Sequence, residues 1–175
     1  MKKIIIAFIA IFTLGAFTTN AQDLKFAHVR SAEVLDSIQS YKDLVKEEGK
    51  INAEAQKQYQ NIQKQMERIQ MEADTTADRF QLDMLSSDFQ KKQMDMQNLE
   101  IYTQNQLQIL QERLMKLMEM YRDAVSEIAK KNGITYVFDA DQQLLFAGPE
   151  GKDITNEVRS KLLEMDNANP VHRFE

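Results

Sequence analysis

Asp139-Ala140-Asp141 sets two carboxylates one residue apart, a spacing that lets both converge on a divalent cation in a turn. The same spacing suits an ordinary turn, where Asp is favoured. The nearest other acids, Glu150 and Asp153, lie beyond a further predicted strand, so the turn is the reading and no metal site is expected. His28 alternates with strand residues and His172 lies near the end of the chain; neither sits at a spacing that pairs a base with a nucleophile. With no Cys there is no disulfide framework, thiolate metal site or cysteine nucleophile. No GxGxxG, P-loop, HExxH or nucleophile-elbow pattern occurs. The expectation is a protein that is not an enzyme and needs no cofactor. A hydrolase, the remaining catalytic class, would betray itself by a cation-dependent activity lost on changing Asp139 and Asp141.

Met and Gln carry more information than the titratable groups. Of ten Met, eight fall between Met66 and Met120, and 14 Gln fall between Gln56 and Gln111. Met is unbranched and polarizable, so a surface rich in it can repack against many apolar partners. Gln on a helix is ordinarily a solvated face, and it also makes an uncharged, adaptable lining.

These residues need long helices to carry them. Between Ala16 and Asn132 the only Gly is Gly49 and there is no Pro, so little interrupts a helix there. Alternate steps of four and three trace a seam through Val34, Ile38, Tyr41, Val45, Glu48, Asn52, Ala55, Tyr59, Ile62, Met66 and Ile69. A second runs through Leu85, Phe89, Lys92, Met96, Leu99, Thr103, Gln106, Leu110, Arg113, Leu117, Met120 and Ala124, widened by Leu107, Leu114, Tyr121 and Ile128. This is the period of a coiled coil. Met66, Met96 and Met120 fall on the seams, whereas Met71, Met84, Met94, Met115 and Met118 fall off them. The polar stretch from Glu72 to Asp78 predicts a reversal, with Thr76 or Asp78 as the cap of the second helix. Helices over 31–72 and 78–132 would be roughly 60 and 80 Å long, while a globule of this size has a radius of gyration of about 15 Å. The two helices must therefore project as an antiparallel hairpin.

The flanking segments predict strands. Leu24 to Val29 alternates like a half-buried strand; Ile134 to Phe138 follows the helix stop Asn132-Gly133; Gln143 to Ala147 ends at the turn Gly148-Pro149-Glu150-Gly151. A short helix over 156–163, capped by Asp153 or Thr155, and a flexible tail over 164–175 complete the chain. Three strands and one helix make a small core with open sheet edges, so self-association is expected. At the other end, Lys2 and Lys3 precede an apolar run from Ile4 to Phe17 and small residues at 19–21. That is the pattern of a cleaved export signal over residues 1–21, too short to span a membrane. Its removal takes two Lys and makes the net charge of −5 more acidic, at −7. Such a surface gives no reason to expect nucleic acid as a partner.

These features together resemble the Skp (OmpH-like) family of periplasmic chaperones. The resemblance rests on Lys25 to Val29 running into Arg30 to Leu35, the long hairpin, Asn132-Gly133 followed by Tyr136 to Ala140, and Lys152 to Val158, and covers about residues 24–163. It implies an α+β fold in which a helical arm over 31–132 stands on a small β body from 24–30 and 133–163. It also implies a periplasmic homotrimer whose arms enclose a cavity and hold unfolded outer-membrane proteins without nucleotide. The family's well-known members are basic, so this acidic chain leaves lipid contact open, with Lys91-Lys92 and Lys130-Lys131 as local basic patches. For client contact the expected residues are Ile69, Met71, Phe80, Leu82, Met84, Phe89 and Met94; for the trimer body, Phe26, Val29, Val137, Phe138, Leu144 and Phe146. The alternative is a structural or adaptor coiled coil of the envelope that binds one folded partner.

Overall fold

The computed structural model describes residues 25–142, 144–149 and 151–171. The expected export signal and Leu24, Gln143, Glu150 and residues 172–175 lie outside the described residues. The elements follow as β1 (Phe26–Val29), α1 (Ser31–Leu35), α2 (Gln39–Thr75), α3 (Arg79–Lys131), β2 (Tyr136–Asp139), β3 (Lys152–Asp153) and α4 (Thr155–Ala168). The fold is α+β: a hairpin of two long helices beside a small sheet.

The second helix forms as its sequence dictates. Asp78 caps it, its carboxylate accepting from the Phe80 N–H at 3.0 Å. The end is set by Gly133, whose φ of +63° is the left-handed conformation that a Cβ disfavours. There the Ile134 N–H donates to the Ala129 carbonyl and the Gly133 N–H to that of Lys130, closing off the last turn. Every position of the seam from Leu85 to Ala124 is buried or half-buried, and Leu107, Tyr121 and Ile128 widen it; Leu114 stays exposed.

The first helix departs from expectation. The Ser37 hydroxyl donates to the Val34 carbonyl at 2.6 Å, and Ile38 then adopts an extended conformation, which ends α1 and restarts the helix at Gln39. Just past the break Leu44 and Ile51 face inward, while Val45, on the predicted line, is 52% exposed and Glu48 and Asn52 face solvent; Tyr41 and the predicted positions from Ala55 to Ile69 are buried or half-buried. The restarted helix is capped from afar: Asp166, on α4, accepts from the Ser40 hydroxyl at 2.5 Å and from the Ser40 N–H at 3.4 Å, in a buried setting. A carboxylate at a helix N-terminus meets both the free N–H groups and the positive end of the dipole.

The sheet is parallel, in the order β2-β1-β3, with Ala27 opposite Val137 and His28 opposite Asp153. The third strand is not the predicted one. Residues 144–147 form no strand, Leu145 is fully exposed and Phe146 is 81% exposed; the edge is the two-residue β3. Lys152 and Asp153 can pair with β1 because the Ile154 N–H reaches the His28 carbonyl and directs the chain into α4. That helix runs to Ala168, beyond the predicted end at Leu163, and Val171 is buried, so residues 164–171 are not a loose tail. Val158, Leu162 and Val171 close a core with Ala27, Val29, Val34, Ile38, Leu117 and Ala124. Burying each of the Val, Leu and Ile side chains contributes about 1.5–3 kcal/mol. The core sits at the foot of the hairpin, so the last turns of α3 belong to the body rather than to the arm.

Candidate functional site

The Asp139 carboxylate accepts from the Ser31 hydroxyl at 2.7 Å and that of Asp141 from the Ala32 N–H at 2.8 Å, so both tie β2 to the start of α1. Beneath them the Tyr121 hydroxyl, buried and facing these two carboxylates, has its pKa pushed up to about 12. Among the described residues no three His, Cys, Asp or Glu form a cluster that could hold a metal ion.

His28 lies 3.6 Å from Asp153, which also faces Arg30 at 3.8 Å. The Thr155 hydroxyl donates to Asp153 at 2.5 Å and accepts from the Arg30 N–H at 3.1 Å. The Thr155 hydroxyl is thus turned to the carboxylate and the backbone of Arg30. Partial burial raises the Asp153 pKa, but the two hydrogen bonds from Thr155, aided by His28 and Arg30, outweigh it and hold the carboxyl below its ordinary value.

Alternation along the strands places Phe26, His28, Tyr136 and Phe138 on one face of the sheet and Ala27, Val29 and Val137 on the other. The rings of Phe26 and Tyr136 stack with centroids 5.7 Å apart, and those of Phe26 and Phe138 at 6.1 Å. All three remain exposed. Of the six residues expected at the trimer body, Phe26 and Phe138 thus share an open aromatic face, Val29 is buried in the chain's own core and Val137 packs against that core. Leu144 and Phe146 lie in the irregular segment that replaces the predicted strand. Sequence reasoning passed over Tyr136, although strand alternation with Phe138 marked it.

The arm presents the other candidate surface. α2 and α3 meet at the reversal over 76–78, where the Thr76 hydroxyl donates to Gln81 Oε1 at 2.8 Å. Near this tip Met71 and Phe80 are 68% and 73% exposed, and Met84 and Met94 are exposed as well. Ile69, Leu82 and Phe89 are half-buried and line a crevice of about 460 Å3 together with Ala73 and Leu85. Met94 instead borders a crevice on the opposite flank, among charged side chains. The seven expected client residues therefore gather at the distal third of the hairpin without forming one patch. Of the other Met off the seams, Met115 is exposed, while Met118 packs against the body core. Ile101, Tyr102 and Ile109 are further exposed apolar residues of α3. Their spacing, off the traced seam yet apolar, was the available signal for them.

Farther in, one polar member of the seam is paired across the hairpin: Arg113 reaches Glu47 at 3.2 Å. Among the described residues no helix is long and apolar enough to cross a membrane.

No curated protein matches the chain. Residues 25–162 match the family model described as outer membrane protein (OmpH-like), a span that takes in the strands, the whole hairpin and the first half of α4. With the strand-flanked hairpin on a small parallel sheet, this shows that the chain belongs to the OmpH-like family.

Proposed function

We propose that the protein is an exported, periplasmic holdase that binds unfolded outer-membrane proteins and prevents their aggregation, acting as a homotrimer and without nucleotide, metal or catalytic step. The observation that carries this reading is the concentration of large exposed apolar side chains, Met71, Phe80, Met84 and Met94, at the end of a hairpin that projects from its core. Beyond the foot, few seam residues are fully buried, so the arm has little packing to resist local opening. A yielding surface studded with Met can follow a client that has no fixed shape. Individually weak contacts add up when several arms hold one chain.

Self-association is supported by the stacked Phe26, Tyr136 and Phe138, an aromatic face that solvent otherwise wets. The decisive experiment dilutes a urea-unfolded outer-membrane β-barrel into buffer with the purified protein. Suppressed light scattering at one trimer per client is the expected result; scattering indifferent to the protein refutes the reading. Binding of several unrelated unfolded chains, rather than one folded partner, separates a holdase from an adaptor.

A further inference from the structure

The two flanks of the arm tip differ in chemistry. Both crevices share Ile69 and Leu85, the seam residues between them. One flank carries Arg68, Glu72, Asp88, Lys91, Lys92 and Asp95, with ion pairs Lys91–Asp88 at 3.3 Å and Lys92–Asp95 at 2.7 Å. The other is lined without a single charged group; its apolar floor is edged by Ser86 and by the amides Gln70, Gln90 and Gln93. Elsewhere on the arm Gln58, Gln65, Gln104 and Gln108 bond to neighbours four residues away. Among the described residues Gln70, Gln90 and Gln93 make no side-chain hydrogen bond.

We infer that this uncharged flank is the seat for an extended, uncharged segment of a non-native polypeptide, read by its main chain. The inference rests on the holdase reading and narrows it to one face of the arm. A carboxamide offers both donor and acceptor, which is what an unpaired peptide group needs, and it does so without selecting a charge. Alternate side chains of an extended segment would enter the apolar floor while its N–H and C=O groups meet the amides. The stretch of α3 from Leu82 to Gln93 is about 16 Å long, which matches about five residues of strand. An acyl chain would have no use for the amides, and a charged folded surface would fit the opposite flank better.

The test uses the full chain and two fluorescent peptides: a heptapeptide of alternating Val and Thr, and the same peptide N-methylated along its main chain. Gln90→Glu with Gln93→Glu is isosteric and solvent-exposed; Ser86→Asp is an independent second variant on the same flank; Asp88→Asn with Lys91→Gln alters the charged flank. Affinity for the plain peptide is expected to fall at least tenfold in both uncharged-flank variants and with N-methylation, and to stay within twofold in the charged-flank variant. Equal losses on the two flanks, indifference to N-methylation, or no binding by the wild type overturns the inference. So does a change in sedimentation caused by Gln90→Glu with Gln93→Glu, which would mean that a second copy fills the groove. Suppression of β-barrel aggregation is measured in parallel: if the wild type suppresses it while the flank variants bind peptide normally, only this inference fails, whereas loss in the wild type itself refutes the holdase reading.

Discussion

Single side chains hold the body together at two junctions. Asp166 caps α2 from the far end of α4, and removing it takes away the carboxylate that accepts from both the Ser40 hydroxyl and the Ser40 N–H in a buried site. A hydrogen bond to a charged group contributes roughly 1.5–3 kcal/mol, so Asp166→Ala is expected to lower unfolding free energy by about that much in urea titrations, with helicity of the folded state retained. Asp153 acts at the start of α4. Its folded pKa lies below the ordinary value because Thr155, His28 and Arg30 favour the carboxylate. Its contribution is therefore present above about pH 4, the unfolded value, and is lost as pH falls through the lower folded value. Wild type and Asp153→Asn should accordingly differ in stability at neutral pH and converge in acid; a difference that grows below pH 4 contradicts the assignment. Asp153 and Thr155 were legible as residues of the helix start because they precede a helical pattern, although the cap position falls between them at Ile154, whose side chain caps nothing. Asp166 was not, since its partner is distant in sequence and its own neighbours look like a tail.

At the scale of elements, uninterrupted pattern held at every position and interrupted pattern lost its place only next to the break. The seam from Leu85 to Ala124 sits inside one helix, so its phase carries from end to end. The seam begun at Val34 crosses the break at Ile38, and just past it Leu44 and Ile51 are buried or half-buried in place of Val45 and Asn52, whereas Tyr41 and the positions from Ala55 to Ile69 stay on the predicted line. No Gly or Pro announces the break; Ser37 makes it by taking a helical carbonyl. The helix stop at Gly133 was legible because its chemistry is local. A Cβ there meets no atom within 4 Å, so Gly133→Ala tests conformation alone. With φ at +63° the substitution is expected to cost about 1–2 kcal/mol of stability, seen as a lower thermal midpoint; an unchanged midpoint would show that the left-handed turn is not required. Of the predicted strand over 143–147, the described residues 144–147 form none, and it is β3 that pairs beside β1.

For the whole molecule, the sheet leaves Phe26, Tyr136 and Phe138 exposed together on one face. Replacing all three with Ser is expected to convert a trimer to monomers in sedimentation equilibrium while the helical circular-dichroism signal persists. A wild type that sediments as a monomer at every concentration removes the proposal of a shared body. The two long helices, the reversal between them and the flanking strands around a small core follow from the sequence alone, because helical period, capping and the scarcity of Gly and Pro act over a few residues at a time. Which strand closes the sheet and that Asp166 reaches back to Ser40 were decided by tertiary structure. Each depends on groups more than a hundred residues apart or on competition for one site, and such pairings have no local signature.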